Sequence, residues 1–391
     1  MLDKTDKAAA ASKMTREEIL RRAEALVPKL RERADQAEKL RMCPPETIQD
    51  YLDNDLLRVC QPARYGGFEL GYDVLCEVVQ TLARGCGSQA WVNMVLADNP
   101  AKLAAFPLEA QDEVWGVNDR AKICVAVAAV GVGKPVDGGI VWNGLHGFSS
   151  GIDHADWVIC GGNIFHDDGS KQGCFVVIPT KEVTIIDDWH VMGLVGSGSK
   201  SFEVKDVFVP THRILDKKQN DEGTAPGTLF YTAPVYKMPR GGVSAVSYTA
   251  AAVGVAEGFL AEYVHQCTTR KSRGNSVAVQ PGIQINLGQS SAEIASASLL
   301  YITAIRECMR RVERGEPETK LHSVQGKRDA CFAAQMAFNA VQRLFNDAGG
   351  RALYTSNDLQ RKFRDVYAAS AHHSLVWHTA AGQYGQHVLD V

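Results

Sequence analysis

The spacing of apolar residues changes character twice along the chain. From Thr15 to about Phe106 it is helical. Ile19, Ala23, Leu26, Leu30 and Ala34 recur at helical intervals behind Thr15-Arg16-Glu17-Glu18, a capping box in which Thr15 caps and Glu18 reaches back. Pro44-Pro45, Gln61-Pro62 and Tyr65-Gly66-Gly67 break the run. Further helices are predicted from about Val74 to Ala83 and from Gln89 to Leu103, the second interrupted at Asn99-Pro100. From about Lys122 to Pro210 the texture turns to strand. Cys124–Val130, Asp156–Cys160, Cys174–Ile178, Val183–Ile186 and Phe202–Val209 are β-rich runs between Gly, Asp and Pro clusters. Their spacing predicts an antiparallel barrel or sandwich. From about Leu229 the helical pattern returns, over roughly 235–270, 281–313, 320–347 and 357–388. Four long helices with short breaks predict an antiparallel bundle. The polar stretch Asp216–Gly227 reads as a linker or mobile loop. The expected class is α+β, with a helical domain over 1–120, a β domain over 121–225 and a four-helix bundle over 226–391.

Charge narrows the function classes. Lys plus Arg number 42 and Asp plus Glu 45 among 391 residues, a net charge of −3, so no nucleic-acid partner is expected. The longest apolar stretch, Val243–Ala256, is interrupted by Ser244, Ser247, Tyr248 and Thr249 and is too short for a membrane span. The start, MLDKTDKAAAASK, has no apolar core of a secretory signal, so the expected location is the cytoplasm. The ten cysteines are scattered and form no CxxC pair, as suits small buried hydrophobes in a reducing compartment.

Three stretches invite chemistry. Gly147-Phe148-Ser149-Ser150-Gly151 matches the nucleophile elbow G-x-S-x-G, and Asp365 and His372 follow in hydrolase order. An elbow needs a helix directly after its serine. Here Ile152–Cys160 runs into another strand, which weakens the alternative of a serine hydrolase using Ser149. Gly193-Leu194-Val195-Gly196-Ser197-Gly198-Ser199-Lys200 is neither a P-loop nor a dinucleotide fingerprint. It is either a plain turn or a row of N–H and hydroxyl groups for a flat polar ring edge or a pyrophosphate. The histidines His372, His373, His378 and His387 have no spacing or carboxylate partner for a metal. One of them could carry a proton.

Read together, these motifs resemble the acyl-CoA dehydrogenase superfamily, and within it the flavin-dependent monooxygenase branch: oxygenase components of two-component aromatic hydroxylases. The resemblance covers nearly the whole chain. It rests on Pro62-Ala63-Arg64-Tyr65-Gly66-Gly67 and on Cys86-Gly87-Ser88-Gln89-Ala90-Trp91. It continues through Asn143-Gly144, Phe148–Gly151 and Asp153-His154-Ala155-Asp156-Trp157. Gly193–Ser199, Val207-Phe208-Val209-Pro210, Gly349-Gly350-Arg351, Leu359-Gln360-Arg361 and Arg364-Asp365 complete it. The branch follows from an absence. The dehydrogenases use a glutamate base, and this chain has no Glu from Asp365 to Val391 or from Val235 to Ala256.

The resemblance implies a fold of helical domain, β domain and bundle. It implies reduced flavin (FADH2 or FMNH2) delivered by a separate NAD(P)H:flavin reductase, O2 as oxidant, and a C4a-hydroperoxyflavin that hydroxylates a small aromatic substrate. It also implies a homotetramer. Phe148, Ser149 and Ser150 would lie at the flavin ring, with Ser150 steadying the adduct, and Ser197, Gly198 and Ser199 along its middle. Arg270, with Gly349 and Gly350, would meet flavin phosphates across a subunit interface. His372 would be the proton acceptor on the final helix, with His373 about 100° around it. Two departures bear on substrate: His146 replaces a family Trp, and Asn99 stands where the family has a His. With Arg240 as a carboxylate partner, they make an indolic or arylacetic substrate as plausible as a phenol. An acyl-CoA dehydrogenase or oxidase is the remaining alternative.

Overall fold

The computed structural model describes residues 14–239, 245–272 and 275–390, and the expectation for Arg240 lies outside them. The N-terminal part comprises α1 (Arg16–Glu32), α2 (Ala34–Leu40), α3 (Pro45–Asp53), α4 (Tyr72–Ala83), α5 (Gly87–Leu103) and α6 (Leu108–Trp115). Only half of the first capping box forms. Thr15 Oγ accepts the Glu18 N–H at 3.2 Å, but the Glu18 carboxylate is taken by Arg21 and Arg22. Helix α5 runs unbroken through Asn99-Pro100 and buries residues all round its circumference. A helix with no polar face belongs inside a fold, and α5 packs against α4, the sheet and the bundle.

Strands β1 (Ile123–Val136), β2 (Gly139–Ser149), β3 (Trp157–Phe165), β4 (Lys171–Pro179), β5 (Thr184–Ile186), β6 (Lys200–Pro210) and β7 (Ile214–Asp216) form one sheet ordered β5-β6-β2-β1-β3-β4-β7. It is not wholly antiparallel, as the sequence predicts. After β2 the chain crosses over and enters β3 on the far side of β1, so β1 and β3 run parallel. The expected loop at Asp216–Gly227 contains two short helices, α7 (Lys217–Glu222) and α8 (Pro226–Phe230).

Four long segments form the bundle: α9 (Val246–Thr269), α10 (Pro281–Glu313), α11 (Lys320–Ala348), and then α12 (Asp358–Ser370) with α13 (Trp377–Leu389). The last predicted helix is therefore broken. His372 takes an extended backbone (φ −58°, ψ 137°) and caps a one-turn helix at His373–Leu375. His372 and His373 stand in a connection, and their expected separation around a helix does not apply.

One core unites the N-terminal helices with the bundle, and two others flank the sheet. His146 belongs to the inner side of the sheet, not to a substrate surface. It is fully buried and stacks on Phe202 with ring centroids 5.0 Å apart, and neither ring nitrogen has a partner among the described residues.

The junction of the three parts is made by α12. Asp365 is buried, and its carboxylate accepts the Leu194 N–H at 2.7 Å. Burial pushes its pKa up to about 6. Arg361 and Arg364 on the same helix pair with Glu38 at 2.9 and 2.6 Å. A Cβ on Gly193 would stand 2.1 Å from the Arg364 carbonyl, so the loop meets α12 backbone to backbone.

Two outcomes follow from this packing. Asp365→Ala leaves the buried Leu194 N–H without an acceptor and should cost about 1–3 kcal/mol, read as a lower urea midpoint with faster tryptic cleavage near Lys200. His146 is held down to about 4 by burial. The unfolded chain then takes up that proton first, so its contribution is intact above pH ~6.5 and is lost as pH falls toward 4. Wild type should lose up to about 1.4 kcal/mol per pH unit more than His146→Phe across that window. Equal urea midpoint slopes from pH 6.5 to 4.5 would show that the ring is not buried neutral.

Candidate active site

A row of hydroxyls lies where the β domain meets α5. Ser150 follows the end of β2, and the loop before β6 carries Ser197 and Ser199. Ser150 Oγ and Ser199 Oγ are 2.7 Å apart, and so are Ser199 Oγ and Ser197 Oγ. The loops are tied by the Gly151 N–H donating to the Ser197 carbonyl at 3.0 Å. Sequence motifs around the row have structural duties. The Gly196 N–H donates to Ser88 Oγ at 3.2 Å, docking the loop on the first turn of α5. A Cβ on Gly196 would come within 2.8 Å of Ala37, which leaves no room for a side chain. Lys200 pairs with Asp153 at 2.8 Å, and His154 Nε2 meets the Cys43 carbonyl at 2.7 Å.

From Ser150 the contacts pass to an aromatic cluster. The Trp91 indole N–H donates to Ser150 Oγ at 3.0 Å. Its ring lies 5.2 Å from Tyr248 on α9 and 5.7 Å from His372. Tyr248 and His372 are stacked, with centroids 3.9 Å apart. His372 Nδ1 accepts the Ser374 N–H at 3.3 Å. That bond places the imidazole proton on Nε2, so the ring offers a donor there. Burial, reinforced by His373, holds its pKa down to about 3. The ring is neutral, and its Nδ1 lone pair is engaged, which disfavours the expected role of proton acceptor. His373 is exposed, 4.3 Å from His372 ring to ring.

The structure thus gathers Ser150, Ser197, Ser199 and His372 from the sequence-derived set. It turns others elsewhere. Ser149 points into the β domain and donates to Cys124 Sγ at 3.4 Å, and among the described residues its hydroxyl is hydrogen-bonded to no histidine or carboxylate, so the hydrolase alternative has no geometry. Asn99 donates to the Ile123 carbonyl at 2.9 Å and holds β1. Asp98 instead lies seven residues after Trp91, on the same face of α5, and its charge acts with burial to raise Tyr248. Gly198 sits at φ +55° beneath Asp153.

Phe148 is 79% exposed, at φ +59°, with its edge toward Trp189 6.0 Å away. A left-handed backbone is costly for an aromatic residue, and such strain gathers at functional sites. Arg270 donates to the Ala348 and Asp347 carbonyls beside Gly349. It stands at the far end of α9, about 33 Å from Tyr248 at 1.5 Å per residue. Sequence reasoning missed Tyr248 and the bonding role of Trp91. Trp91 was visible only as the last residue of the Cys86–Trp91 motif, and Tyr248 only as a polar interruption of an apolar run.

Comparison with known proteins agrees with this layout. Residues 10–115 match the acyl-CoA dehydrogenase N-terminal domain, and residues 246–377 the acyl-CoA dehydrogenase C-terminal domain. The flavin-dependent monooxygenase oxygenase subunit HsaA of Rhodococcus jostii (strain RHA1) is 33% identical over 356 residues, 90% of this chain and 93% of that protein. The p-hydroxyphenylacetate 3-hydroxylase oxygenase component of Acinetobacter baumannii is 29% identical over 366 residues, 90% of this chain and 85% of that protein. The crystal structure of the HsaA monooxygenase from M. tuberculosis matches with a TM-score of 0.92 at 32% identity, covering 97% of this chain and 98% of that one. The chain belongs to the acyl-CoA dehydrogenase family, in its flavin-dependent monooxygenase branch.

Proposed function

We propose that the chain is the oxygenase component of a two-component flavin-dependent monooxygenase that hydroxylates a small aromatic or indolic ring. The observation that carries this reading is the direct contact between the hydroxyl row and the Trp91–Tyr248–His372 cluster. A reduced flavin supplies the electrons that activate O2. The residues present fit such a ring. An isoalloxazine needs hydrogen-bonding groups along one edge and apolar cover on its face. Ser150, Ser199 and Ser197 offer the first, and exposed Phe148 beside Trp189 offers the second. With no nicotinamide motif in the sequence, the reduced flavin comes from a separate reductase. The dehydrogenase alternative lacks its base: Glu257, the first glutamate on α9, is bonded to Gln80, nine residues beyond Tyr248.

His372 acts as a neutral hydrogen-bond donor from Nε2 to an oxygen of the substrate or oxidant. This departs from the expected proton acceptor, and magnitudes separate the two roles. Loss of a general base costs about 10²–10⁴ in rate. Loss of one hydrogen bond costs roughly 2- to 13-fold. His372→Ala should therefore raise hydrogen peroxide release at the expense of hydroxylated product by the smaller factor. His372→Gln, which keeps an N–H donor, should recover part of it, and His373→Ala should be mild. Product and peroxide assays after mixing with reduced flavin read this directly. A loss above 100-fold, shared by His372→Gln, would restore the base.

The assembly we propose is a homotetramer. Ile285, Leu299, Leu353 and Tyr354 on the bundle side are 67–69% exposed. Arg270 stands at the end of α9 remote from Tyr248, which supports its meeting flavin phosphates of a neighbouring copy. Light scattering should give four copies of the 42.5 kDa chain. A stable monomer would remove both the tetramer and the cross-subunit role of Arg270.

A further inference from the structure

The direction of the hydrogen bonds along the hydroxyl row is set by an atom outside it. An indole N–H can only donate, whereas a serine hydroxyl has one proton and two lone pairs. Trp91 therefore fills one lone pair of Ser150 and leaves its proton uncommitted. Ser150, Ser199 and Ser197 share two mutual contacts, which use two of their three protons. The third proton emerges at Ser150, Ser199 or Ser197. Ser197 is 1% exposed, and among the described residues its hydroxyl has no partner except Ser199. A proton left there would be buried without an acceptor, which is costly. A proton left on Ser199 requires both neighbours to donate into it, and Ser199 is itself buried. All three hydroxyls are buried, Ser150 least at 7% exposed, so the order that leaves the uncommitted proton on the least buried of them runs from Ser197 to Ser199 to Ser150, which also accepts from Trp91.

We infer that Trp91 is a positioning residue: its indole N–H and the Ser197–Ser199 pair together fix the Ser150 hydroxyl as a donor toward the flavin edge. This rests on the flavin reading above. It adds to it that one side chain reaches both halves of the site, since the same indole packs on Tyr248 and His372. The apolar packing of Trp91 and its polar link are separable. Trp91→Phe keeps an aromatic ring in the cluster and deletes only the N–H.

The test has two arms. The first uses the protein without flavin. Ser150→Ala should shift the indole N–H resonance of Trp91, and no other of the six tryptophans, and should speed its exchange with D2O. An unmoved Trp91 resonance would overturn the link, and this arm stands even if Trp91→Phe fails to fold. The second arm uses the full chain with reduced flavin and substrate. Trp91→Phe should raise the ratio of peroxide to product roughly 2- to 13-fold, with the substrate KM and the melting temperature nearly unchanged. In the Ser150→Ala background the same substitution should add little, because it acts through Ser150. Full additivity, or a matched loss in KM and melting temperature, would assign Trp91 to packing alone and overturn the proposal. If the resonance shifts while Ser150→Ala leaves coupling unchanged, the Trp91–Ser150 bond is real but Ser150 does not face the flavin; the positioning proposal and the flavin placement of Ser150 then fall, and the bond stays.

Discussion

The bond between the Asp365 carboxylate and the Leu194 N–H is the constraint on which the site depends. It is buried, short, and joins residues 171 positions apart. A carboxylate in that setting is uncomfortable, as its raised pKa shows. It is tolerated because a backbone donor and neighbouring cations face it. What it secures is the loop from Gly193 to Ser199. With that loop fixed against α12, the first turn of α5 can dock on Gly196, and Ser197 and Ser199 fall into line with Ser150. The bundle therefore shapes the β-domain side of the site without contributing a residue to the hydroxyl row.

The other half of the site comes from the same helices used differently. Helix α5 is buried on every side, so a polar group on it must find a partner inside the protein. Gln89 bonds the Leu30 carbonyl, Asn99 holds β1, and the Trp91 N–H reaches Ser150. Only the last of these reaches the hydroxyl row. The His372 imidazole owes its character to a break in helix. In a continuous helix its Nδ1 would not meet the amide two residues on. In the extended connection it does, and that bond, with burial, gives a neutral ring with its N–H on Nε2. In the function proposed above, that backbone geometry is what suits His372 to a donor's role.

The sequence by itself determined the order and kind of the elements. Hydrophobic period gives helix, then strand, then helix, because one buried face per element is a local property of the chain. It also carried the hydroxyl row, since Ser150, Ser197 and Ser199 lie in loops flanked by glycines whose missing Cβ atoms permit close approach. The sequence also showed that two stretches, Val235–Ala256 and Asp365–Val391, hold no glutamate, and the family resemblance made that absence informative.

Tertiary structure decided where each side chain points. Adjacent serines face opposite ways: Ser149 into the sheet's core and Ser150 toward Trp91, because the strand ends between them. His146 went into the core because β2 alternates inward there, and Asn99 went to β1 because α5 is surrounded. The parallel β1–β3 pair follows from a crossover that no local pattern encodes. Tyr248 joined the site because α9 passes Trp91 at ring distance, a contact across 157 residues of chain. Periodicity reports which residues leave water. Only the packing of distant elements says what they meet when they do.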